Sequence, residues 1–241
     1  MTAPKVELHL YYAAISPLAV ILRRGPSKHF RMILWDRSDD SFQDGQWLKQ
    51  KIYPERCHLS PDGKHFIFFA LSGRWDERTQ GAYFAISRPP YFTALALFPV
   101  GDTWTSGGRF VTSKYFLVEG QQDIIGLTEG LERVYLCQKT ASEEPTLLLA
   151  DGRAPKIGKS RLRNALNDEK QIITDNRFAA KDGCLYRVES GQAKLIRDFT
   201  DMEFEKIRAP YDHRPDNGPK TPVARSMVVD LIPDPRMEED D

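Results

Sequence analysis

Short apolar and aromatic runs recur along the whole chain, separated by clusters of Gly, Pro, Asp and Ser. They fall at 30–35, 65–71, 82–87, 94–100, 114–119, 133–138, 146–150, 171–174, 185–189 and 194–199. Most are four to eight residues long, which suits strands and is short for helices. The connections carry tight-turn chemistry at Asp62-Gly63, Gly107-Gly108, Asp151-Gly152, Asp182-Gly183 and Ser190-Gly191. Such pairs supply the positive φ that hairpins require. The pattern therefore predicts successive antiparallel hairpins.

Laid under one another, the runs fall into four similar passages. The last reads RFAAKDG, CLYRVESG, AKLIRDF and FEKIRAP, four strands joined by short turns. From residue 65 the rhythm is HFIFFALSG, AYFAISR, ALALFPVG and GRFVT; from 114 it is KYFLVEG, RVYLCQ, TLLLADG and QIITD. From residue 19 it is AVILRRG, FRMILWD, WLKQKIY and ERCHLS. The starting points 19, 65, 114 and 177 are 46, 49 and 63 residues apart. The first two intervals match a propeller blade, and the third requires an insertion. Residues 155–170 provide one, with Leu162, Ala165 and Leu166 at helical spacing. A helical turn also fits 126–134. The expected fold is all-β, a small propeller-like array of about four four-stranded units over 1–210, with a β-sandwich or other repeated antiparallel fold as the alternative. Residues 211–241 are expected to form an extended segment, with 223–232 as a closing strand against the N-terminal VELHLYY.

Ser60-Pro61-Asp62-Gly63-Lys64, followed by HFIFFAL, resembles the repeat of TolB-like and WD-type β-propellers, in which SPDGK turns into a blade strand. Trp35-Asp36, closing FRMILWD, resembles the Trp-Asp ending of a WD strand. The resemblance covers about a dozen residues of one passage and implies a propeller fold; the other passages share the rhythm without SPDG.

The charges balance, with 34 Lys plus Arg against 34 Asp plus Glu, so no global basic field argues for nucleic acid as a partner. The terminal Glu238, Glu239, Asp240 and Asp241 form a solvated acidic tail. Cys57, Cys137 and Cys184 are odd in number and far apart among apolar neighbours, which predicts reduced, half-buried thiols. The apolar N-terminal stretch is interrupted by Glu7, His9, Ser16 and Pro17, and its basic residues follow it, unlike a signal peptide. The expectation is a cytoplasmic protein with no membrane partner.

Candidate chemistry is sparse. Residues 152–160, GRAPKIGKS, approach a phosphate-binding loop ending in Lys159 and Ser160, but five residues separate Gly152 from Gly158 where the motif has four. Loop length sets where the N–H groups point, so a solvated basic loop accounts better for the segment. Lys156, Lys159, Arg161, Arg163 and Lys170 lack interleaved aromatic residues for stacking on single strands. Asp36, Ser38, Asp40 and Asp44 miss the calcium-loop order and suit self-capping turns. His58 and His65 straddle the SPDGK turn without a third ligand at readable spacing. No metal site and no cofactor are expected. Neither GxSxG nor HExxH occurs, and the catalytic residues are unknown at this point.

The remaining candidates are binding anchors: Trp75, Arg88, Tyr91, Trp104 and Arg109, in three turn-rich segments. Trp, Tyr and Arg dominate binding hot spots, although a Trp beside a turn also serves as packing. The leading expectation is a non-catalytic protein-binding or scaffold module whose partner is another protein. The alternatives are a hydrolase or lyase with its site in the central pocket, and a nucleotide or phosphate binder at 152–160.

Overall fold

The computed structural model describes residues 6–213, except 27, 128–129, 138–144, 159 and 161–172. The described residues form sixteen strands in four sheets that follow the order of the chain. Sheet I is the antiparallel meander β1 (Glu7–Tyr12), β2 (Leu18–Arg24), β3 (His29–Asp36) and β4 (Ser41–Lys49). Sheet II places the short β5 (Lys51–Ile52) and β6 (His58–Leu59) on β7 (Phe66–Leu71), followed by β8 (Ala82–Ser87) and β9 (Ala94–Pro99). Sheet III is β10 (Arg109–Phe110), β11 (Tyr115–Leu117), β12 (Glu132–Cys137) and β13 (Thr146–Leu149). Its β11–β12 pair is parallel, unlike every other pair. Sheet IV is the antiparallel trio β14 (Phe178–Lys181), β15 (Cys184–Glu189) and β16 (Gln192–Asp198).

The sheets stack face to face in the order IV, I, II, III, and strand periodicity assigns each side chain to a layer. In β2, Ala19 and Ile21 face sheet IV and join Trp35, Phe178, Leu185 and Phe199. The alternate Val20 and Leu22 face sheet II and join Phe66, Phe68, Tyr83 and Phe92. In β7, Ile67 and Phe69 turn the other way, toward Phe110, Phe116 and Val118 of the sheet III region. Strands buried on both faces read as unbroken apolar runs, which is why AVIL and FIFFA carry no polar alternation. Each fully buried ring adds about 1.5–3 kcal/mol of transfer free energy. The outer strands of the stack show more solvent, with Leu136 and Leu195 exposed.

The unit boundaries differ from those read in the sequence by one strand. VELHLYY is the first strand of sheet I, and residues 51–59 and 109–110 open the next sheet where the sequence had assigned them to the close of the previous one. The apolar rhythm locates strands; it does not say which hairpin partner a short strand will choose. Residues 132–134, assigned to a helical turn, belong to β12, because the parallel pairing with β11 and the ladder to β13 use their main chain. The polar half of β4, Ser41–Gly45, was not anticipated as strand. It holds the meander through Phe42 and the ion pair of Asp44 with Arg197. Most of the helix expected at 155–170, part of the 171–174 strand and the closing strand at 223–232 lie outside the described residues.

FEKIRAP joins no ladder and instead forms part of a strap across sheet I. Arg23 Nε and Nη2 donate to the carbonyls of Phe199 and Thr200 at 2.7 and 2.9 Å. Arg31 pairs with Glu205 at 3.1 Å, and Gln46 Nε2 donates to Ile207 O at 2.9 Å. Tyr211 Oη reaches the carbonyl of Thr93 on sheet II at 2.8 Å. Beneath the strap, Trp47 packs against both the Arg23 and Arg31 guanidinium groups, each 5.3 Å from its ring centroid. No helix among the described residues is long and apolar enough to cross a membrane.

Candidate functional site in the cavity between the sheets

β1, β6 and β10, one short strand each from sheets I, II and III, converge on a cavity of about 830 Å³. The size lies within the range of small-molecule and cofactor pockets. Its wall takes all of β1, residues 54–59 around β6, residues 106–113 around β10, and Ile173. The three strands run in the same direction along it. Tyr11 reaches Pro54 through its hydroxyl at 2.8 Å, and Ile15 N–H donates to Pro61 O at 2.9 Å farther along. Across the next boundary Gly107 packs on Arg56, and Phe110 N–H donates to His58 Nδ1 at 3.3 Å.

The wall combines apolar surface with Glu7, Arg24, Glu55, Arg56 and Arg109, and with His9 and His58. Much of this charge is already paired. Arg24 lies 3.4 Å from Glu7, and Arg56 donates to Thr103 O at 2.6 Å while stacking on Tyr53 and Phe69. His9 Nε2 is buried without a protein hydrogen-bond partner, 3.9 Å from Glu7. Burial pushes the His9 imidazole below its ordinary value, against the opposing pull of Glu7, so the neutral ring is favoured near pH 7. The hydrogen bond from Phe110 N–H makes His58 Nδ1 an acceptor.

Two potential nucleophiles of the wall, Cys57 and Tyr11, are held in their protonated forms. Burial pushes the Cys57 thiol up to about 12, and its Sγ faces Tyr53 O at 3.3 Å. Burial, then the neighbouring Cys57, raises the Tyr11 phenol well above its usual range. A thiol in that state is a packing group, since the thiolate is the reactive form.

The structure separates the five anchors named from sequence. Arg109 is in the cavity wall. Trp104 is 93 % exposed, on the loop that leads into the wall at Ser106. Trp75 is half-exposed and its ring covers Gly81, at the same end of sheet II. Arg88 and Tyr91 lie at the opposite end, both against Tyr211 of the strap. Their aromatic and cationic groups therefore join the strap to sheet II.

Four main-chain donors of the 152–160 loop are already engaged, three of them close in sequence and the fourth, Lys156 N–H, with Tyr115 Oη at 3.4 Å. Gly152 N–H bonds to Leu149 O, Arg153 N–H to Asp151 Oδ1 and Ile157 N–H to Pro155 O. Ser160 is exposed and Lys159 lies outside the described residues. The acidic turn is likewise occupied: Asp36 caps Ser38, Asp40 accepts from Trp35 and Arg187, and Asp44 pairs with Arg197. Among the described residues no three His, Cys, Asp or Glu side chains gather as a metal site. His58 and His65 both lie against Phe110, with ring centroids 6.3 and 6.4 Å away.

Of the wall, sequence reading singled out Arg109 as an anchor; it set His58 aside for want of a further ligand and passed over His9, because the wall's residues come from three separate sheets. One signal was present: His9, His58 and Arg109 recur at intervals of 49 and 51 residues, one per sheet. No protein-family model matches the chain, and neither a curated protein nor a solved structure does.

Proposed function

We propose that this chain is a non-catalytic binding module of propeller type, which holds part of a partner protein in the cavity between its sheets. The propeller reading is supported by the succession of meander sheets and by β1, β6 and β10 running alike along one cavity. The observation that carries the binding reading is the cavity itself, about 830 Å³ with a mixed apolar and polar wall. A macromolecular partner is favoured by apolar groups in and beside this wall. Ile15 belongs to the wall and is 70 % exposed, and Trp104 is exposed two residues before the wall begins at Ser106. The protonated Cys57 and Tyr11 weigh against covalent catalysis there.

A photo-crosslinking amino acid placed at Ile15, and separately at Trp104, tests this reading in the native host. The expected result is one protein adduct of common identity from both positions and none from Leu195 on the outer face. Loss of that adduct from both positions, or equal labelling at Leu195, overturns it.

A further inference from the structure

We infer that the cavity receives its partner as an extended peptide, which adds a strand to the edge of β1 that no described strand covers. The inference rests on the binding reading above and names the form of the ligand. Ala13 N–H donates to Leu18 O across the β1–β2 hairpin, and the register from Glu7–Arg24 to Tyr12–Ala19 has no shift. In an antiparallel ladder the hydrogen-bonded residues alternate. Tyr11, His9 and Glu7 therefore direct their main-chain groups at β2, while Tyr12, Leu10 and Leu8 direct theirs away from it. The neighbouring pair obeys the same parity: Arg37 N–H donates to Pro17 O, so β2 offers Ala19, Ile21 and Arg23 to β3.

β1 is the edge strand of sheet I, and all of it lines the cavity. Among the described residues no group bonds to the outward N–H or C=O of Leu8 or Leu10. The other two strands of the wall are partly closed. The outward N–H of Phe110 is taken by His58, and residues beside β6 accept from Tyr11 and Ile15. An unpaired edge on a protein surface invites promiscuous pairing. Set in a cavity, the same edge selects a single strand by shape and gives it main-chain hydrogen bonds. A six-residue strand spans roughly 20 Å, the length of β1 itself. Its side chains would alternate between the Leu8, Leu10 and Tyr12 side of the wall and the Glu7, His9 and Tyr11 side.

The experiment uses linear peptides selected from a random library on the full chain, and remade with N-methyl groups on alternate residues. N-methylation at one parity is expected to weaken binding at least about tenfold for each bond lost, while the other parity is tolerated. Leu10→Pro removes an outward N–H that the β2 ladder does not use, and is expected to abolish binding with the thermal transition retained. If that variant unfolds, the N-methyl series decides alone. Equal loss at both parities, or binding unaffected by either, overturns strand addition. Failure of the library to yield any binder also overturns it, and photo-crosslinking from Ile15 and Trp104 then decides separately whether the cavity binds a protein in another form.

Discussion

Arg37, in the turn between β3 and β4, reaches across to Asp175, ahead of sheet IV, and donates to its carboxylate at 2.9 Å with both side chains largely buried. Arg177 donates to the same carboxylate through Nε and Nη2 at 2.9 and 2.7 Å. These bonds, Arg177's first, hold the Asp175 carboxyl at about 2, below its ordinary range. A depressed carboxylate stabilises the fold above its unfolded pKa of about 3.9, and that contribution disappears as pH falls through about 2. Asp175→Asn is expected to cost about 2 kcal/mol at pH 7 and much less at pH 2. Urea unfolding at the two pH values measures the difference.

Gln46 ties sheet I to sheet II. Its Oε1 accepts the N–H groups of Phe92 and Thr93 at 2.7 and 2.9 Å, and its Nε2 serves Thr93 Oγ1 and Ile207 O. Gln46→Leu leaves two buried main-chain donors unsatisfied, at about 1–3 kcal/mol each. The expected loss is about 2–4 kcal/mol by denaturant titration, and Gln46→Glu recovers part of it by keeping the acceptor.

Gly45, just before it, lets the β8–β9 turn approach. A Cβ at this position would overlap the carbonyl oxygen and side chain of Pro90, which accepts from Gln46 N–H at 3.0 Å. Gly45→Ala is expected to destabilise by about 1–3 kcal/mol through overpacking. Gly152→Ala is the contrasting case: it meets no atom within 4 Å and bears only the strain of φ +79°. Thermal melts of the two variants separate crowding from backbone strain.

Trp104 and Trp75 are distinguishable by the same measurements. Trp104 is exposed, so Trp104→Ala is expected to move stability by less than about 0.5 kcal/mol while reducing partner capture. Trp75 covers Gly81, so Trp75→Ala is expected to cost about 1 kcal/mol. Equal stability losses would place both rings in packing roles.

His9 gives the cavity wall a pH signature. Its folded pKa lies below the ordinary value because burial opposes the charge, so the unfolded chain takes up the proton first on acidification. The wild type is therefore expected to lose stability relative to His9→Asn as pH falls from 7 toward 5, with the difference between them constant above about pH 7.5. Parallel melting curves across this range make the check.

Strands β2, β3, β7, β8 and β9 were legible because both of their faces are buried, and continuous runs such as FIFFAL admit few other readings. The Asp182-Gly183 and Ser190-Gly191 turns were equally plain, and all four residues have positive φ. The register of units was not legible. VELHLYY pairs with the β2 that follows it and His58–Leu59 with the β7 that follows, and the apolar rhythm does not say whether such a strand joins the hairpin before it or the one after. The cavity shares this cause: His9, His58 and Arg109 acquire a common wall only through the stacking of three sheets. Trp104, Arg88 and Tyr91 were chosen alike for residue type; the structure leaves Trp104 exposed, whereas Arg88 and Tyr91 meet the strap through Tyr211.

The bonds from Arg23 to Phe199 and Thr200 set an order of events during synthesis. The side of sheet I that bears Ile21 and Trp35 is sealed by Phe178, Leu185 and Phe199, which leave the ribosome more than 140 residues later. At 5–20 residues per second the early hairpins wait roughly 7–30 s for that seal. Over this interval the nascent chain presents an oily flank to solvent or to a chaperone, and a message truncated before the codon for Phe178 yields a product that keeps it.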